Sequence, residues 1–169
     1  DETIFNYFEK QSAKPQFIRP DHLSTDTSTS DSVIEHALGF FKKQDKYFEY
    51  VLLLQPTSPF RLRKDFFSIF ESMDIHTEMV VSVVKCKNSP YFNQFKEINN
   101  ENLVPIPIND SKIFTRRQDL PSIYAYNGAY YFFHVKAFEK EKKMKFNKIK
   151  KFEMPYWRSL DIDNNDDWE

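Results

Sequence analysis

Tyr50-Val51-Leu52-Leu53-Leu54 is an unbroken apolar run that stops abruptly at Gln55-Pro56-Thr57-Ser58-Pro59-Phe60-Arg61. A strand with one wet face alternates apolar and polar residues. An unbroken run reads instead as a strand buried on both faces, as in a parallel sheet covered by helices. Phe66, Phe67, Ile69 and Phe70 follow at helical spacing and are predicted to face inward. Met79-Val80-Val81-Ser82-Val83-Val84 is a second apolar strand. Strand, helix, strand in that order predicts a right-handed crossover and an α/β fold with a mostly parallel sheet flanked by helices.

The flanking segments fit around that unit. Ile4, Phe5 and Phe8 predict a helix over 1–12, and Val33, Ile34, Ala37, Leu38 and Phe41 a second one capped by Ser30 or Asp31. Residues 90–108 read as short extended pieces joined at Asn99-Asn100-Glu101-Asn102, a β excursion from the main sheet. Tyr130-Tyr131-Phe132-Phe133 returns to a strand, residues 136–143 form a short helix and residues 152–155 a last extended piece. No internal repeat is present.

Composition narrows the function classes. Lys and Arg total 24 against 25 Asp and Glu, so there is no basic excess of the kind nucleic acid demands. No apolar run approaches the ~20 residues that cross a bilayer. The single Cys86 excludes an internal disulfide and a cysteine-based zinc site, which fits a reducing cytoplasm. Only Gly39 and Gly128 are glycines, so a glycine-rich phosphate loop is expected outside these residues if a triphosphate binds. The chain opens on Asp1 with an apolar helical period already under way, and reads as a fragment.

Three segments should meet beyond the carboxyl ends of the strands, where open sheets bind ligands. Gln55 to Arg61 is stiffened by two prolines; Gln55, Thr57 and Ser58 offer donors and acceptors to a multi-hydroxyl ligand. Equally, it reads as a strand-to-helix turn with Ser58 as N-cap and Pro59 in the first helical position. Asp161-Ile162-Asp163 places two carboxylates one residue apart, a pattern that suits Mg²⁺ and is also common on acidic surfaces. Arg116-Arg117 offers a guanidinium fork for a carboxylate or phosphate, or else a surface ion pair with Asp119. Asn127-Gly128 alone reads as a turn. The four histidines are scattered without metal or triad spacing.

Together these stretches are more specific than any one of them. Arg19-Pro20 with Leu23-Ser24-Thr25-Asp26-Thr27, then Gln55 to Arg61, then Arg117-Gln118-Asp119-Leu120-Pro121 with Asn127-Gly128-Ala129-Tyr130-Tyr131, then Asp161-Ile162-Asp163 ahead of Asp167-Trp168 run through essentially the whole chain. In this order the chain resembles the acylneuraminate cytidylyltransferases, the CMP-sialic acid synthetases. The resemblance implies a nucleotide-diphospho-sugar-transferase-like fold over 1–169, N-terminally truncated, with a β-rich dimerisation excursion at about 90–115. It implies that CTP and an acidic nine-carbon sugar give the CMP-sugar and pyrophosphate, in a cytoplasmic homodimer that binds neither nucleic acid nor membrane.

The resemblance also implies roles. Asp161 and Asp163 would hold Mg²⁺ (or Mn²⁺). Gln55 would contact the sugar, with Thr57, Ser58 and Asn127 around it. Arg117 would pair with the sugar carboxylate and Tyr131 would wall the pocket. Arg19, Ser24, Thr25 and Asp26 would face the cytosine and ribose. The family's N-terminal strand and basic phosphate loop are not among these residues. Ala125 stands where some members carry arginine, and Phe92-Asn93 where some carry lysine. Those departures keep legionaminate, pseudaminate and Kdo open as substrates, and a non-catalytic binding relic as the reading from another class.

Overall fold

A computed structural model describes residues 2–11, 14–25, 27–99, 102–107, 114 and 116–168, the side chain of Arg117 excepted. The chain divides into two compact units. One comprises Asp1–Tyr50 and Val135–Lys145, the other Val51–His134 and Phe146–Glu169.

The first unit is helical. Helix α1 (Glu2–Glu9) is shorter than its apolar period predicts and buries none of its residues. Helix α2 (Ser30–Lys42) begins one residue earlier than a Ser30 cap would place it: Thr29 is the N-cap and its side chain accepts from the Ser32 N–H at 3.3 Å. Asp31 instead accepts the Met144 N–H at 2.8 Å, just beyond helix α4 (Val135–Glu141). Phe17 from the extended segment stacks among Phe40, Phe41 and His36 of α2, with ring centroids 4.7, 6.3 and 5.2 Å away. Such aromatic clusters supply both buried area and orientation.

The second unit is built on a four-stranded sheet in the order β1-β5-β2-β6, comprising β1 (Tyr50–Leu53), β2 (Met79–Lys85), β5 (Tyr124–His134) and β6 (Ile149–Glu153). Strand β2 runs parallel to β6 and antiparallel to β5, so the sheet is α/β and mixed. The crossover from β1 through α3 (Arg63–Ser72) leads to β2 two places along, with β5 entering between them. The centre is the buried stretch Met79–Val83 facing Ala129, Tyr130, Phe132 and Phe133. β1 lies at the end of the strand order and its four residues are only half-buried, which corrects the expectation that this run is covered on both faces.

Helix α3 corrects a second expectation. Ile69 and Asp65 are buried, but Phe66, Phe67 and Phe70 are exposed. The face turned inward is the i, i+4 row through Asp65 and Ile69, and a buried carboxylate on such a row requires a partner. The excursion is a separate hairpin, β3 (Phe95–Ile98) paired antiparallel with β4 (Asn102–Pro105), with Phe95, Ile98 and Leu103 exposed on it.

Asn127 and Gly128 lie inside strand β5 rather than in a turn. The ladder slips there: Val81 faces Tyr131 and Val83 faces Tyr126, so two steps of β2 oppose five of β5. Gly128 adopts φ 75°, which an L side chain resists. A β-bulge leaves backbone groups without ladder partners. Ser82, fully buried, supplies them: its hydroxyl donates to the Tyr130 carbonyl at 3.2 Å and accepts the Tyr130 N–H at 2.8 Å.

Candidate functional site

The bulge turns Asn127 and Gly128 toward the loop that leaves β1. The Gln55 N–H donates to the Gly128 carbonyl at 3.4 Å, and the Ser58 hydroxyl donates to the Asn127 carbonyl at 3.0 Å. A Cβ at Gly128 would collide with Gln55 Oε1 and Ser58 Oγ, so glycine is what lets the Gln55 side chain lie against β5. Within the loop, the Arg61 guanidinium caps the Gln55 carbonyl at 2.7 Å and the Ser58 N–H reaches the same oxygen at 3.3 Å. The Gln55-to-Arg61 segment is therefore a folded cradle held from both sides. It is not a helix start, because α3 begins five residues after Ser58, with Asp65 accepting the Leu62 N–H at 3.0 Å.

The Asp161-to-Asp163 segment docks on the same loop. The Ile162 N–H donates to the Thr57 carbonyl at 2.8 Å, turning Ile162 inward and leaving Asp161 and Asp163 exposed on either side of it. Asp161 Oδ1 lies 3.5 Å from Ser58 Oγ, the outer limit of a hydrogen bond, so the Ser58 proton belongs to the nearer Asn127 carbonyl. Asp163 is set by its N–H, which donates to Asp167 Oδ2 at 2.9 Å. Tyr131 stands on the same side. Its phenol is pushed up from the ordinary tyrosine value by burial first, then by Tyr126 and by the Asp161 carboxylate. Its ring meets Tyr126 edge-on at 5.9 Å.

Gln55, Thr57, Ser58, Asn127, Tyr131, Asp161 and Asp163 thus come together in one unit. Two of them take a different part from that expected. Ser58 and Asn127 are buried, and their polar atoms point into the protein instead of toward a ligand. Asn127 Nδ2 donates to Ser159 Oγ at 2.9 Å and approaches Met154 Sδ at 3.4 Å, while Asn127 Oδ1 accepts the Ala129 N–H at 3.3 Å.

Arg117 lies in a 3₁₀ turn, Arg117–Asp119, and its side chain is outside the described residues. Its neighbour Arg116 makes the surface pair, a two-pronged contact with Asp119 at 2.7 and 3.0 Å. Arg19, Ser24 and Thr25 belong to the helical unit. There the Arg19 Nε–H donates to Ser24 Oγ at 3.1 Å, and Thr25 Oγ1 lies 2.9 Å from Ser28 Oγ. Arg19 also edges an apolar cavity of about 230 Å³ with Phe5, Phe8, Phe17 and Ile18. Asp26 lies outside the described residues.

The donor set suits a hard cation. Asp161 and Asp163 offer carboxylate oxygens near one another in sequence and open to solvent, and neither makes an ion pair among the described residues. No cluster of three or more acidic, histidine or cysteine side chains able to hold a metal occurs among those residues. A cation here would take its remaining ligands from water and phosphate, as Mg²⁺ does.

Sequence reasoning overlooked the frame behind these groups. Arg158 and Asp65 form a buried ion pair, with a second contact from Nη2 to Oδ1 at 3.3 Å. Ser82 and Ser159 were equally silent, and Arg61 entered only as the last residue of the Gln55 segment, without its role as a cap on the Gln55 carbonyl. The one available signal was a charged residue, Asp65, in the inward row of a helix.

No family model matches the chain. Among curated proteins it is similar to CMP-N,N'-diacetyllegionaminic acid synthase of Legionella pneumophila, 29% identical over 157 residues covering 92% of this chain and 66% of that protein. It is similar to N-acylneuraminate cytidylyltransferase of Streptococcus agalactiae, 28% identical over 154 residues covering 89% and 35%. It is also similar to pseudaminic acid cytidylyltransferase of Campylobacter jejuni, 28% identical over 141 residues covering 83% and 60%. The chain therefore spans between about a third and two thirds of the length of these relatives.

Proposed function

We propose that this chain carries most of a cytidylyltransferase that moves CMP from CTP to the anomeric hydroxyl of an N-acylneuraminate or a related nonulosonic acid, releasing pyrophosphate. The observation that carries the reading is the junction of the Gln55 cradle, the Gly128 bulge, Tyr131 and Asp161 in one unit. The relatives support the chemistry: they are named for transfer to legionaminic, acylneuraminic and pseudaminic acids.

In this reading the protein contributes placement and charge. Gln55 orients the sugar with donors and acceptors, and Thr57 lies beside it. Ser58 and Asn127 hold the wall from behind. Tyr131 closes one side, and Arg117 pairs with the sugar carboxylate. Arg19, Ser24, Thr25 and Asp26 serve the nucleotide base and ribose. Asp161 and Asp163 would hold Mg²⁺ or Mn²⁺, which would supply charge neutralisation at the phosphates.

The wider fold proposed is a mostly parallel, nucleotide-diphospho-sugar-transferase-like sheet in which β5 is the antiparallel exception; the β2–β6 pairing supports it. A homodimer through the excursion is supported by exposed Phe95, Ile98 and Leu103 on the hairpin. Among the described residues no helix is long and apolar enough to cross a membrane, and Cys86 is a free thiol; both accord with a cytoplasmic enzyme.

The test is pyrophosphate release by the full-length protein from CTP and Mg²⁺ with N-acetylneuraminate, legionaminate, pseudaminate and Kdo in turn. Release with one of the nonulosonic acids supports the reading. Silence with all four leaves a binding protein that kept the fold.

A further inference from the structure

We propose that Asn127 is a positioning residue for the Asp161 carboxylate, acting through Ser159. The inference rests on the reading above and adds a role that the sequence did not give Asn127. The Asp161 segment is tethered on both sides. Two residues before it, Ser159 Oγ accepts from Asn127 Nδ2 at 2.9 Å and donates to the Pro155 carbonyl at 3.0 Å, closing the 3₁₀ turn Tyr156–Arg158. One residue after it, the Ile162 N–H is held by the Thr57 carbonyl at 2.8 Å.

Asp161 is the exposed link between those two tethers. The first of them starts from a rigid place. Asn127 is buried in the β5 bulge, its Oδ1 holds the Ala129 N–H, and its carbonyl takes the Ser58 hydroxyl. The same bulge holds Gln55 through the Gly128 carbonyl. Asn127 therefore keeps the carboxylate in register with the group that orients the sugar. Removing it takes one hold off the Ser159 side of the link, where the Arg158–Asp65 pair and the Ser159–Pro155 bond remain, and leaves both carboxylates in the chain. Outer groups that orient metal ligands typically contribute 10–100-fold in metal affinity.

The test uses the full-length protein with Asn127→Ala, Ser159→Ala, Ser159→Thr and the Asn127→Ala/Ser159→Ala pair. Mn²⁺ affinity in the presence of CTP is measured by electron paramagnetic resonance of the free ion, beside CTP affinity without metal and the melting temperature. The expected result is Mn²⁺ binding weakened about tenfold in Asn127→Ala and Ser159→Ala. The pair is no weaker than either alone, Ser159→Thr returns to near wild type, and metal-free CTP affinity is unchanged. If Asn127→Ala does not fold, Ser159→Ala, which removes one hydroxyl, carries the comparison. Unchanged Mn²⁺ affinity with only a lower melting temperature overturns the inference and leaves the enzymatic reading standing. A wild-type protein that takes up no Mn²⁺ with CTP overturns both.

Discussion

Asp65 and Arg158, ninety-three residues apart in sequence, form a buried ion pair between the first turn of α3 and the turn that leads to Asp161. Asp65 also accepts the Leu62 N–H, so one carboxylate caps the helix and fixes the descending chain. A charge this deep is tolerated because its partner is equally buried; either one alone would be stranded.

Arg158→Ala should therefore lower stability by about 3–5 kcal/mol, as expected when one member of a buried pair is removed. Replacing both, Asp65→Leu with Arg158→Met, should cost only about 1 kcal/mol, the value of the lost cap. Urea unfolding of the full-length protein measures both. Equal losses in the single and double variants would show that the pair matters through something other than its charges.

The two glycines should respond to the same substitution with opposite sign. At Gly128, alanine meets a positive φ costing roughly 1–2 kcal/mol and drives its Cβ into Gln55 and Ser58. Reduced stability is expected and, in the proposed reaction, a raised KM for the sugar, since Gln55, proposed to orient it, must move. Gly39 lies within α2 with nothing within 4 Å of an added Cβ. Gly39→Ala should stabilise by about 0.5–1 kcal/mol and leave the kinetics alone. Thermal melts and steady-state kinetics on the two variants decide the matter.

In the proposed reading, Asp161→Asn and Asp163→Asn should each reduce pyrophosphate release by two to three decades, because a carboxylate holding the cation would contribute several kcal/mol of charge stabilisation. Asp166→Asn, a neighbouring exposed carboxylate outside the proposed set, should stay within about twofold. A Mg²⁺ titration of each variant separates weak metal binding from slow chemistry: partial recovery at high Mg²⁺ is expected in the first two. An equal loss in Asp166→Asn would mean that the acidic segment acts only through its overall charge.

The sequence made legible what periodicity and local chemistry encode. β2, α2 and the excursion hairpin lie where their patterns put them, and the Gln55 loop and Asp161 do meet. It could not show that β5 inserts between β1 and β2, since strand order depends on pairings between distant residues. The same limit hid the Gly128 bulge: Asn-Gly has one local signature whether it makes a hairpin turn or a kink inside a strand. On α3, four apolar residues within five positions cannot all face one side of a helix, and the buried Asp65 took a place that the pattern assigned to phenylalanine. Ser58 and Asn127 looked like ligand groups because their chemistry is that of ligand groups; only burial shows that they bond inward.

Asp74 should contribute to acid sensitivity. Its carboxylate takes the Lys150 ammonium and the Thr77 hydroxyl, each at 2.7 Å, and the His76 N–H at 2.9 Å. These bonds, the Lys150 contact foremost, hold the group well below the usual carboxylate range in spite of a small opposing desolvation. The native state therefore releases this proton more readily than the unfolded chain, which takes it up near pH 4. Where the unfolded state binds more protons, stability rises with pH. The contribution of Asp74 is thus complete at neutral pH and declines as pH drops below about 4 toward the lower native value. Asp74→Asn removes that contribution, so its melting temperature should sit below wild type at neutral pH and approach it in acid. The gap should narrow in high salt, because the Lys150 pair is exposed and screened. Melting curves from neutral pH down to pH 3 check this; a gap that stays constant across the range would mean that the asparagine disturbs the turn at His76 and Thr77 rather than the charge.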